Sequence, residues 1–177
     1  MGHEALRMMD RKKKDAVRVI LICNAILISL LELVIPIPIP LPGVKLGLGN
    51  IITLVAVAFL QIQDVLIIVV IRCIVVALLS KGVTMLIFSL SGGLVSAAVM
   101  WLVYKYRPNL LSIKGISVIG AVTHNITQLG VAALILSEAM MVYYLPVLLI
   151  TAIVTGLITG TISELTIAEV KKRHILP

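Results

Sequence analysis

Charge and aromatic rings are scarce in this chain: Asp, Glu, Lys and Arg make up 13% of its 177 residues, and Phe, Trp and Tyr 4%. With 60% hydrophobic residues and a mean hydropathy of +1.18, an ordinary soluble domain is excluded, because a solvated fold carries roughly twice that share of charge. There are two cysteines, Cys23 and Cys73. Both fall inside apolar runs, so they are expected as buried, inert thiols rather than a disulfide or metal pair. No G-x-x-x-x-G-K-[ST] loop is present, which removes that route to ATP hydrolysis. No nucleophile elbow and no His/Cys/carboxylate cluster at metal-site spacing occurs. The expectation is therefore no catalytic residue, no metal and no cofactor. A cleavable leader is not expected, since a polar stretch precedes the first apolar run and no small-residue cleavage site follows it. No repeat at helix-pair period is found, which argues against an inverted-repeat transporter.

What the chain does have is long apolar runs separated by short polar connections. They predict an all-α integral membrane protein with six transmembrane helices, over residues 16–35, 48–60, 65–80, 84–104, 115–136 and 143–163. The second is short. A basic segment, 1–15, precedes this single membrane domain of 16–165, and a basic tail, 166–177, follows it. With six spans, Arg7, Arg11, Lys12, Lys13, Lys14, Arg18, Lys105, Arg107, Lys114, Lys171, Lys172 and Arg173 share one side, leaving Lys45 and Lys81 opposite and Arg72 within a span. The positive-inside rule then places both termini in the cytoplasm of a multi-pass plasma-membrane protein. The net charge of +7 is accounted for by topology and anionic lipid headgroups, not by nucleic acid.

The segment 36–50, PIPIPLPGVKLGLGN, separates the first two spans yet is itself mostly apolar. Pro36, Pro38, Pro40 and Pro42 forbid helix and remove four backbone donors, which eases irregular chain near hydrocarbon. Gly43, Gly47 and Gly49 allow bends and close approach. Lys45 lies just ahead of a helix restart, and a lysine beside a helix N-terminus favours an anion. The segment is expected to cap a small-molecule site open to the exterior.

Polar residues inside spans mark the rest of that site. In the fifth run, Gly120, His124 and Gln128 fall on one face with Thr127 alongside, and Asn125 is close by. Such groups are costly against lipid, so the face should point inward, toward a ligand or toward interhelical hydrogen bonds. Arg72, in mid-span, requires a carboxylate or an anionic ligand, and Glu32 near the outer end of the first run is a candidate partner. The candidate substrate-binding set is Lys45, Gly47, Asn50, Arg72, His124, Asn125 and Gln128. Small residues at four-residue spacing (Ala25 and Ser29 in the first run, Ala152, Gly156 and Gly160 in the sixth) let helices approach closely. The sixth-run set suits packing within the chain, and the first-run pair suits a partner subunit.

Six short spans in under 180 residues, the proline-rich first connection and KLGLGN leading into a short second helix resemble the substrate-binding S components of energy-coupling factor (ECF) transporters. More narrowly, the chain resembles the Gx transporter family, also labelled heptaprenyl diphosphate synthase component I. The resemblance covers about residues 16–165. It implies a protein that captures a vitamin, or an isoprenoid- or quinone-related precursor, from outside under the first connection. It also implies delivery within a complex of a coupling transmembrane subunit and ATPases, with small residues on the first helix, here Ala25 and Ser29, meeting the coupling subunit. A subunit of prenyl diphosphate or menaquinone metabolism, or of flavin-based extracellular electron transfer, is the alternative. Prenyl chain elongation requires D-D-x-x-D motifs, and Asp10, Asp15 and Asp64 are isolated from one another.

Overall fold

The computed structural model describes residues 2–34, 47–80, 82–107, 111–136 and 143–173. Within them lie six helices: α1 (Gly2–Val34), α2 (Gly49–Phe59), α3 (Ile62–Ser80), α4 (Val83–Tyr106), α5 (Ile113–Leu136) and α6 (Leu145–Lys172). No strand occurs among the described residues. All but α2 are long and apolar enough to cross a membrane. The protein is thus a multi-pass membrane protein; among the described residues five of its six helices are of crossing length, and α2 is too short to cross by itself. At 11 residues, α2 is roughly 17 Å long, against a hydrocarbon core of about 30 Å.

Helix ends follow local chemistry. α1 starts far ahead of residue 16 because GHEALRMMDRKKKD is rich in good helix formers. α6 likewise runs on through residues expected as tail, and Lys171 and Lys172 in its last turn complement the helix dipole. Pro146 sits in the first turn of α6, where its missing N–H costs nothing. Between α2 and α3 the chain turns at Leu60, which is extended.

α2 is the axis of the molecule. It packs against all five other helices, which follow one another around it in the order α1, α3, α4, α5, α6, while α1 and α6 do not touch. Residues Gly49 to Val57 of α2 are all buried, as suits a helix that is apolar on every side. Leu54, Ile68, Met100 and Ile116 anchor the core around it. The closest approach is between α5 and α6. A Cβ on Gly156 would lie 2.7 Å from Val118 Cα, and one on Gly160 would lie 2.8 Å from Lys114 Cα. The sixth-helix stripe Ala152, Gly156 and Gly160 is buried and packs within the chain. Ser117 and Thr159 add a 2.9 Å hydrogen bond between these two helices.

One face of the bundle is tied by polar contacts. Arg18 of α1 pairs with buried Asp64 of α3, and also with Asp15 at 3.1 Å. Trp101 Nε1 donates to the Leu60 carbonyl at 3.4 Å, and Lys105 lies over the Trp101 ring at 4.4 Å. Lys114 pairs with Glu164 at 3.4 Å. Elsewhere the outer surface is apolar, with Leu31, Leu78, Leu134, Ile150 and Leu165 exposed, which suits lipid rather than water. Cys23 lies on this outer surface, contrary to expectation, while Cys73 is buried. Among the described residues α1 packs against α2 and α3 alone, and Cys23 lies on its side away from them.

Candidate functional site

At the end of the bundle away from the Arg18–Asp64 pair, a cavity of about 40 Å³ opens between α1, α2, α3, α4 and α5. Roughly three water molecules would fill it. From Arg18 to Glu32 the α1 axis rises roughly 21 Å, which puts Glu32 near the far end of α1, while Arg72 and His124 lie about half-way along α3 and α5. Ser29 and Glu32 of α1 line it, one helical turn apart, with Gly47, Gly49 and Asn50 at the start of α2. Arg72, Cys73 and Val76 come from α3, Ser89 from α4 and His124 from α5.

Four glycines shape this space. Gly47 adopts φ +72°, the left-handed region that glycine enters without steric cost. Its carbonyl accepts from Asn50 N at 2.8 Å, and its N–H donates to Glu32 Oε1 at 2.6 Å. That turn fixes where α2 begins and holds the α1 carboxylate at its edge. Gly49 lies against the Arg72 guanidinium, which occupies the space a Cβ would fill, and Ser29 Oγ sits 2.8 Å from that same point. Gly93 receives Arg72 from the other side, its absent Cβ falling 3.4 Å from Nη2. The neighbouring Gly92 does the same for α5: a Cβ there would be 3.0 Å from His124 Cε1 and from Gln128 Cγ.

The electrostatics centre on Arg72 and Glu32, each only 6% exposed. They border one cavity, yet no ion pair joins them. Among the described residues no carboxylate pairs with Arg72, and no hydrogen bond from its guanidinium is found. The partnership with Glu32 open at the sequence level is therefore not formed: Glu32 takes the Gly47 N–H instead. A guanidinium buried to this degree normally has an anion beside it.

Of the residues expected to bind substrate, Gly47, Asn50, Arg72 and His124 come together here. Gln128 is buried and donates to the Phe88 carbonyl at 3.4 Å. Asn125 donates to the Leu148 carbonyl at 3.1 Å, joining α5 to α6. Both serve as interhelical ties, and neither lines the cavity. Lys45 and the four prolines lie outside the described residues. Ala25 is fully buried and Ser29, half-buried, borders the cavity. α1 turns this side toward α2 because Gly49 brings α2 up against Ser29. The Gly92–Gly93 pair, which seats Arg72 and His124, is legible as a close-approach signal only once α4 is known to face them.

A family model described as heptaprenyl diphosphate synthase component I matches residues 21–166. The chain belongs to this family. Every cavity-lining residue falls inside the matched span. No curated protein and no solved structure matches the chain.

Proposed function

We propose that this protein is the substrate-binding membrane component of an ATP-driven importer, an S component of the energy-coupling factor type in the plasma membrane. It takes up a small anion-bearing molecule in the cavity at the head of α2. The observation that carries this reading is Arg72, buried beside polar groups in a cavity and lacking a carboxylate partner among the described residues. The N-terminus of α2 adds a second attraction for negative charge. α2 returns the chain inside the bundle from the cavity to the Arg18–Asp64 end, so the six helices alternate in direction. The positive-inside rule then puts both termini in the cytoplasm and turns the cavity outward. The chain has no nucleotide-binding loop, so the energy comes from separate ATPases acting through a coupling subunit. It has no aspartate-rich motif, so it is not itself an enzyme of prenyl elongation.

Gently solubilised protein analysed by mass spectrometry tests the reading. The expected result is a small compound bearing an anionic group and ATPase subunits co-purifying with the wild type, with the compound lost from Arg72→Gln. Turnover of prenyl diphosphates by the purified chain would instead support a catalytic role in isoprenoid metabolism.

A further inference from the structure

Two opposite charges that share a small buried cavity normally neutralise each other, because each is costly in a medium of low polarity. Arg72 and Glu32 do not. Arg72 is wedged between Gly49 and Gly93, and Glu32 is drawn aside by the Gly47 N–H at 2.6 Å. The turn at Gly47 and the two glycine seats thus leave both charges lining one space with no ion pair between them.

We propose that the cavity selects a small zwitterion, a molecule carrying a carboxylate or comparable anion a few ångströms from an ammonium group. This rests on the reading of the cavity as a ligand site. An anion alone would neutralise Arg72 while bringing a second negative charge up to Glu32. A cation alone would do the reverse. Only a dipolar ligand satisfies both walls, its anion on the guanidinium and its ammonium on Glu32, whose Oε1 already accepts from Gly47. Ser29 and Asn50 also line the cavity and offer hydrogen bonds to such a ligand. The volume of about 40 Å³ admits a body the size of roughly three waters, which is that of a small amino acid. A diphosphate, with several negative charges and no cation, is disfavoured by Glu32.

The test is thermal stability of the full-length protein in detergent, titrated with β-alanine, propionate, n-propylamine and inorganic pyrophosphate. β-Alanine is expected to protect at a concentration about tenfold lower than propionate or propylamine, a difference set by engaging both charges. In Glu32→Gln, which retains an oxygen to accept the Gly47 N–H, the advantage of β-alanine over propionate should vanish. In Arg72→Gln neither should protect. If propionate or pyrophosphate protects the wild type as well as β-alanine and Arg72→Gln removes the effect, the zwitterion is wrong and the anion site stands. If none of the four protects in an Arg72-dependent way, both fall. Should Glu32→Gln not fold, the ranking of the four probes on the wild type decides alone.

Discussion

At the scale of single residues, the site depends on side chains that are absent as much as on those present. Gly49 is the clearest case, since a methyl there would occupy the position of the Arg72 guanidinium. Gly49→Ala is expected to leave the helix itself intact, because alanine favours helix over glycine by about 1 kcal/mol. It should displace Arg72 and weaken Arg72-dependent protection by small anions about tenfold, measured as the ligand concentration dependence of thermal stability. Unchanged ligand protection in a folded variant would show that the seat is not needed. Arg72 was legible in the sequence as a mid-span charge, because a cation at that depth stands out in any apolar run. The role of Glu32 was not, since its distance from Arg72 depends on the turn at Gly47, and nothing in a list of residues reveals which of two acceptors or donors a carboxylate will meet first.

At the scale of elements, the small residues of α5 and α6 set how the helices pack, and their costs differ with what each glycine faces. Gly156 abuts the backbone of Val118, which cannot swing away, and a Cβ there would sit 2.7 Å from Val118 Cα. Gly156→Ala should therefore force α5 and α6 apart and destabilise the protein by about 1–3 kcal/mol. Gly120 faces the thioether end of Met100, a flexible side chain that can repack. Gly120→Ala is expected to cost less than Gly156→Ala, and comparing their unfolding midpoints in detergent checks the order. Ala152, Gly156 and Gly160 could be read from spacing as a packing stripe, and they are one. The same spacing on α1 gave no such certainty: Ala25 and Ser29 face inward because α2 starts beside them, and an isolated helix does not say which neighbour its small face will meet. The inward turn of Gly120, His124 and Gln128 followed from the cost of polar groups in lipid. That rule could not separate His124, on the cavity, from Gln128, bonded to the Phe88 carbonyl.

At the scale of the whole molecule, the end opposite the cavity is clamped by the pair between Arg18 and buried Asp64, which joins α1 to α3. Asp64→Asn is expected to destabilise the protein by about 1–3 kcal/mol, since it leaves the guanidinium with only the exposed Asp15. Combining it with Arg18→Met should cost less than the sum of the two single changes, and a double-mutant cycle on thermal stability measures that coupling. Strict additivity would mean that the pair is not a clamp. Membrane residence and the helical class were written in the sequence itself, because hydropathy acts along the chain and needs no knowledge of neighbours. That the second helix is short was legible in the same way, from the length of its apolar run. The tertiary structure alone decided that α2 is the buried axis, that Arg72 and Glu32 border one cavity without pairing, and that Asn125 and Gln128 tie helices together. Those outcomes depend on which faces meet across the bundle, and that is set by close approach at Gly47, Gly49, Gly92 and Gly93, contacts between residues far apart in the chain.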